Sequence, residues 1–217
     1  MTMTEDVRLL IYGAGGHGVV VVDAALCAGR TVIGIVDDDP TQHGRTVHGI
    51  PVLGGRDVLA QGEYRGALAI LAIGRVADRR ALDRELTALG MRFACVVHPS
   101  AHVAQGAVIG EGAVLLPMCV VHSDVTVGRH AIINTAATID HDSRIGDFAH
   151  IAPGAHLAGN VTVGEGAHVG IGAAVTAGVT IGDGATVGAG AAVVEDVAAG
   201  GVVVGVPARA LRKDGND

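Results

Sequence analysis

With 217 residues and a formal net charge of −7, from 15 Lys and Arg against 22 Asp and Glu, the chain offers no electrostatic case for nucleic acid or an anionic membrane as a partner. Its residues are 49% hydrophobic but only 2% aromatic, with no Trp and 34 Gly, so a core has to be built from small aliphatics, as in a repeat protein. Three scattered cysteines, Cys27, Cys95 and Cys119, exclude a disulfide framework and a paired-cysteine metal site and fit a reducing compartment; a cytoplasmic protein is expected.

Met1 to Asp6 is acidic and polar, and no apolar run approaches the roughly 18 residues of a membrane span, so nothing marks export. Val7 to Tyr12 reads as a buried strand. It runs into Gly13-Ala-Gly-Gly-His-Gly18 and a helix from His17 to about Gly29. Gly13, Gly15 and Gly18 satisfy G-x-G-x-x-G, a spacing that lets backbone N–H groups and a helix N-terminus face an anion. A second strand, Thr31 to Val36, leads to Asp37-Asp38-Asp39, where an acidic residue suits a base or ribose; a solvated turn before Pro40 is the plainer reading. A third strand, Ala67 to Ile73, ends at Gly74-Arg75, a helix covers Ala77 to Leu89, and Phe93 to Val97 closes the region. Alternating strand and helix predict a small Rossmann-like parallel sheet over residues 1–98. No second mononucleotide-binding half precedes the repeats, so a sugar nucleotide fits the loop better than NAD. Gly13, Gly15, Gly16, His17, Asp37, Asp38, Gly74 and Arg75 are the candidate substrate contacts. His17 inside the loop suits a phosphate or sugar, or a helix cap, and Arg75 suits a diphosphate, or plain solvent.

From Val103 to Val193 every sixth residue is Val, Ile or Leu. Two positions before each stands a small or β-branched residue such as Ala107, Ala131 or Ala167, and Gly often follows, as in Gly110, Gly128 and Gly146. Neither helix nor ordinary strand has period six. Hexads that each make one short strand and a turn close a triangular coil every eighteen residues, with the aliphatic column pointing inward and Gly or Asn at the bends. Residues 99–217 are therefore predicted to be a parallel β-helix of hexapeptide repeats. The period breaks at Glu195-Asp196, and Gly205-Val-Pro-Ala-Arg209 is expected to stop the coil, with Arg209 and Arg212 beyond. A polar cap and a phosphate contact are both open readings there.

Because core positions are aliphatic, the histidines of the repeat lie on faces or corners. His141 stands apart, since Asp140-His141-Asp142 flanks one imidazole with carboxylates, and a carboxylate on a ring nitrogen fixes the tautomer and raises basicity. That makes His141 a candidate general base. The eighteen-residue coil places Gly159 over His141 and Ala177 over Gly159. Gly159, in Ala158-Gly159-Asn160, is expected at an outward bend with an exposed N–H able to stabilise an oxyanion. His150 and His168, also eighteen apart, stack in a way that suits a metal, but a third ligand is missing from that spacing; no metal is expected.

These stretches together resemble the hexapeptide-repeat acyltransferases, and more narrowly the two-domain enzymes that acetylate nucleotide-linked amino sugars. The resemblance runs through Ile11 to Gly18, Val36-Asp37-Asp38, Ala72-Ile73-Gly74, Ile139 to Asp142, Gly154 to Asn160 and Gly205 to Arg209. It implies a left-handed β-helix, a homotrimer with acetyl-CoA between subunits, and transfer of an acetyl group to the C4 amine of a 4-amino-4,6-dideoxy sugar nucleotide. It also implies roles: His141 as base, Asp142 as orienting carboxylate, Gly159 as the amide on the thioester oxygen, and His150 beside the pantetheine. Ala177, Gly188, Gly190 and Arg209 follow as further cofactor contacts. A sialic-acid-type sugar O-acetyltransferase and a non-catalytic nucleotide-binding scaffold remain as alternatives.

Overall fold

The computed structural model describes residues 7–211, and the Met1–Asp6 stretch and Arg212 lie outside them. The chain divides at Pro99/Ser100 into two compact units.

In the first unit, strand β1 (Arg8–Tyr12) is buried along nearly its whole length, as a strand covered on both faces has to be. It lies between β2 (Thr31–Val36) and β5 (Leu68–Leu71), parallel to both. Helix α1 (Gly16–Cys27) buries Val21, Val22, Ala24 and Ala25, and α2 (Val76–Ala88) buries Leu82 and Leu86 into a core with Leu10, Tyr12, Val36 and Phe93. Two further strands, β3 (Thr46–Val47) and β4 (Ile50–Gly54), extend the sheet to the order β3-β4-β2-β1-β5. Neither strand was expected from the sequence; Pro51 of β4 pairs with Thr46 of the two-residue edge strand. Of the Phe93–Val97 stretch only Val96–Val97 is strand, while Phe93 makes a single bridge to Ala69.

The glycines of the first loop differ in what they do. Gly13 has φ +117°, and a Cβ there would meet the Ala72 carbonyl oxygen at 2.7 Å; a Cβ on Gly18 would lie 2.0 Å from the Gly13 oxygen. Gly15 and Gly16 have open space around them.

The second unit is a left-handed parallel β-helix with two-residue strands on three faces. The first face carries His102–Val103, Val120–Val121, Thr138–Ile139, His156–Leu157, Ala174–Val175 and Ala192–Val193. The second runs from Val108–Ile109 to Thr180–Ile181, and the third from Val114–Leu115 through His150–Ile151 and His168–Val169 to Thr186–Val187. Partners stand eighteen apart throughout, as in Ile139 with Leu157. The aliphatic column from Leu115 to Val193 is at most 3% exposed, whereas Val103 and Ile109 in the first coil are only half-buried. At each corner one residue is left-handed: Asp124, Asp142 and Asn160 at the first, His130 and Phe148 at the second, with Gly filling many of the rest. The coil does not stop at Glu195: it tightens, so that Thr186 pairs with Val202, and only then turns back in the antiparallel pair Val204 with Arg209. Among the described residues no helix is long and apolar enough to cross a membrane.

Gly18→Ala is expected to cost about 1–3 kcal/mol by forcing helix and loop apart, and Gly15→Ala to leave the melting temperature nearly unchanged; thermal unfolding of both variants checks the pair.

Candidate active site

Two sets of candidate residues are built on different units. In the first, the loop Gly13 to Gly18 meets α1 at an N-terminus that no side chain caps, with Gly15 at the cap. Its backbone N–H groups are positioned for an anion. Asp37 does not wait for a base or ribose: its carboxylate accepts from Ala14 N at 2.6 Å and Asp39 N at 2.9 Å and so clamps the loop. Asp39 caps the turn at Thr41. Asp38 accepts from the Tyr12 hydroxyl at 2.7 Å and pairs with Arg56, whose guanidinium also meets Glu85. Arg56 holds the Asp38 carboxyl below the usual range, and burial with the Asp38 hydrogen bond pushes the Tyr12 phenol up. Tyr12, Asp37, Asp38, Arg56, Leu82 and Glu85 line a cavity of about 310 Å³ at the carboxyl end of the sheet.

Arg75, read as suiting either a diphosphate or solvent, is 82% exposed and pairs with Asp78 at 3.4 Å. The arginine at this end of the sheet that lines the cavity is Arg56, just past the unpredicted β4; a Gly-Gly-Arg run after an apolar stretch is the signal that would have marked it. Gly74 offers its carbonyl to buried Arg79 at 2.9 Å, alongside Ile73. His17 sits in the first turn of α1 with a buried Nε2 that has no partner. Burial and the nearby Arg79 lower its pKa to about 4, so near neutral pH its imidazole is uncharged.

In the second unit, His141 follows the strand Thr138–Ile139 at the first corner. Its Nδ1 lies 2.8 Å from Asp142 Oδ2. A carboxylate only accepts, so Nδ1 carries the proton and Nε2 keeps the lone pair. Asp142 adopts the left-handed conformation at φ 59°, a geometry Asp tolerates, and its short side chain reaches the ring. Asp140 Oδ1 accepts from His141 N at 2.9 Å, holding the backbone. The Asp142 hydrogen bond, with the charge of Asp140, raises the His141 pKa above the usual range.

Gly159 stands one coil on: Asn160 N donates to His141 O at 2.8 Å, and Gly178 N to Gly159 O at 3.1 Å, which stacks His141, Gly159 and Ala177 on one corner. A Cβ on Gly159 would meet His141 Cε1 at 2.7 Å and Nε2 at 2.8 Å. The ring therefore rests on the bare Cα. Gly159 is buried rather than exposed as expected, and the imidazole is what covers it. Among the described residues its N–H has no acceptor, whereas the stacked His141 N is taken by Asp140.

The remaining candidates lie elsewhere on the helix. His150 is on the third face, with Nε2 3.1 Å from Asn134 Nδ2 and its ring 5.0 Å from that of His168; burial lowers the pKa of His168. No group of three metal-capable side chains occurs among the described residues. Gly188 follows the third face, where a Cβ would meet Val204 at 2.7 Å; Gly190 is left-handed at the third corner; exposed Arg209 lies in the terminal antiparallel pair. One chain thus gathers His141, Asp142, Gly159 and Ala177 at one corner and leaves His150, Gly188, Gly190 and Arg209 on another side.

A glycine loop with an open helix N-terminus in one unit, and a carboxylate-held histidine stacked on a bare glycine in a hexapeptide β-helix, define a two-domain hexapeptide acyltransferase. The family model of the PglD N-terminal domain matches residues 8–86. An H141N mutant of perosamine N-acetyltransferase from Caulobacter crescentus, solved in complex with CoA and GDP-perosamine, is 39% identical; the match covers 95% of this chain and 97% of that one, with a TM-score of 0.90. The acetyltransferase domain of PglB from Neisseria gonorrhoeae is also 39% identical, over 94% of this chain and 99% of that one, at 0.87. WeeI from Acinetobacter baumannii is 30% identical, over 94% and 100%, at 0.86. No curated protein matches the chain significantly. The chain belongs to the nucleotide-sugar N-acetyltransferase family of hexapeptide-repeat acyltransferases.

Gly159→Ala is expected to push the imidazole off its seat and lower turnover by at least about tenfold with the β-helix intact; steady-state kinetics and circular dichroism together check it.

Proposed function

We propose that this protein transfers the acetyl group of acetyl-CoA to the C4 amine of a nucleotide-linked 4-amino-4,6-dideoxy sugar, GDP-perosamine being the best candidate. The observation that carries the reading is the Asp142-held imidazole of His141 resting on Gly159, in a chain so similar to an enzyme crystallised with CoA and GDP-perosamine. In this reading the neutral amine attacks the thioester carbonyl. His141 Nε2 takes the proton from the nitrogen as the tetrahedral species forms, the Gly159 N–H stabilises its oxyanion, and CoA leaves as the thiol. No acyl-enzyme is needed. The glycine loop with Gly13, Gly15, Gly16 and His17 binds the sugar nucleotide, and the Asp38–Arg56–Glu85 network borders the cavity beside it.

The working form in this reading is a homotrimer. Two observations support it. The third corner is uncharged over five coils, with Pro117, Met118, Ala136, Pro153 and Ile171 along it, and Met118 and Ile171 are 62% and 61% exposed. The cofactor candidates, besides, fall on two sides of one chain, an arrangement suited to acetyl-CoA lying between neighbours, with His141 on one subunit and His150, Gly188, Gly190 and Arg209 on the next. Cys27, Cys95 and Cys119 form no disulfide, which favours a cytoplasmic location.

A positioned base contributes about 10² to 10⁴ in rate, so His141→Asn is expected to lower kcat at least tenfold and leave the trimer intact by size-exclusion chromatography. Near-normal turnover refutes the base. The pH profile gives a second check. Only neutral His141 accepts a proton, and its pKa is raised, so activity falls as pH drops through a value above the ordinary histidine range. Asp142→Asn removes the largest cause of that rise and is expected to move the acid limb to lower pH, with a milder loss of kcat than His141→Asn.

A further inference from the structure

Position 143 interrupts an otherwise apolar column. The residues two before each core aliphatic, from Ala107 to Ala191 in steps of six, are Ala, Val or Cys everywhere except Ser143. On the first corner its neighbours in the stack are Val125 and Val161. Ser143 is fully buried, and a hydroxyl in such a place is unfavourable unless hydrogen bonds compensate it.

The bonds it makes are unlike those at other corners. At the second and third corners the turn shuts on itself: Ala131 N donates to Gly128 O at 3.3 Å, Ala149 N to Gly146 O at 3.2 Å, and Ala155 N to Ala152 O at 3.1 Å. At the first corner the turns ending at Val125, Ser143, Val161 and Val179 lack that closure among the described residues, and in the turn Ala158 to Val161, which carries Gly159, a serine hydroxyl takes its place. Val161 N donates instead to Ser143 Oγ of the preceding coil at 3.1 Å, and the same Oγ lies 3.4 Å from Ala158 O and 3.5 Å from His141 O. The hydroxyl is thus inserted between the two ends of the Gly159 turn, accepting from one end and facing the carbonyl of the other.

We propose that Ser143 is a positioning residue: its hydroxyl wedges the Ala158–Val161 turn and sets where the Gly159 N–H stands relative to the His141 ring. The inference rests on the acetyl-transfer reading, in which that amide holds the oxyanion. Alanine fits the column without strain, since it occupies most of it, but removes the wedge and leaves Val161 N to find another acceptor. Val refills the volume without the oxygen. Thr keeps the oxygen.

Steady-state kinetics with acetyl-CoA and GDP-perosamine on the full-length protein separate these cases. For Ser143→Ala and Ser143→Val the expectation is a fall in kcat of about tenfold or more, an unchanged KM for the sugar nucleotide, and an acid limb at the wild-type pH, because the base itself is untouched. Ser143→Thr should recover most of the rate. Wild-type kcat in folded Ser143→Ala overturns the proposal, as does a loss that Ser143→Thr shares in full or one that appears mainly in KM. With the unmodified protein assayed alongside, absence of CoA release removes the acetyl-transfer reading and this inference together, whereas normal release with unaffected Ser143→Ala removes this inference alone.

Discussion

Coil length is the constraint on which the rest of the second unit depends. Parallel pairing at a fixed offset of eighteen residues turns sequence distance into spatial contact, so that a residue chosen at one corner determines what its neighbour one coil away can be. His141 and Gly159 illustrate it. An imidazole at the first corner leaves no room for a side chain above it, and glycine is the residue that meets the condition, its N–H finding no acceptor among the described residues. The aliphatic column supplies no chemistry of its own. Buried and close-packed, it keeps the register without slip, and register is what brings the His141 imidazole over the Gly159 backbone.

The first unit relies on glycine in a different way. Gly13 and Gly18 permit a close passage of backbone past backbone, and Asp37 secures the result by accepting from Ala14 N. What remains open is a helix N-terminus beside the neutral side chain of His17, a combination suited to an anion without a cation in the loop. Charge enters from Arg56, which is shared between Asp38 and Glu85. An arginine already paired twice orders that wall of the cavity more than it attracts a ligand.

The β-helix, its phase and the His141–Asp142 pair were legible in the sequence because each rests on a period or on adjacency. What was not legible depends on contacts between distant segments. Nothing in Asp37-Asp38-Asp39 says that the three carboxylates are already engaged by Ala14, Arg56 and Thr41. Arg56 was not singled out, since β4, which delivers it to this end of the sheet, was not read as a strand. The break in period at Glu195-Asp196 was legible, but not that the shortened coil keeps its pairing, Val202 with Thr186. Gly159 was expected to be exposed, since stacking predicts neighbours but not that a ring will lie across one of them. Ser143 was visible as an irregularity in a column of small residues, yet its meaning lies in a turn one coil away.

The central claim is that a histidine base and a glycine amide at one corner of the coil acetylate an amino sugar carried on a nucleotide. CoA release by the unmodified protein, measured with acetyl-CoA and a panel of GDP- and UDP-linked 4-amino-4,6-dideoxy sugars beside their 4-hydroxy counterparts, tests it most directly. Release that requires the amine and is fastest with GDP-perosamine is the predicted result. Release with the hydroxyl sugars alone, as an O-acetyltransferase would give, or none with any sugar, as a non-catalytic scaffold would give, contradicts it.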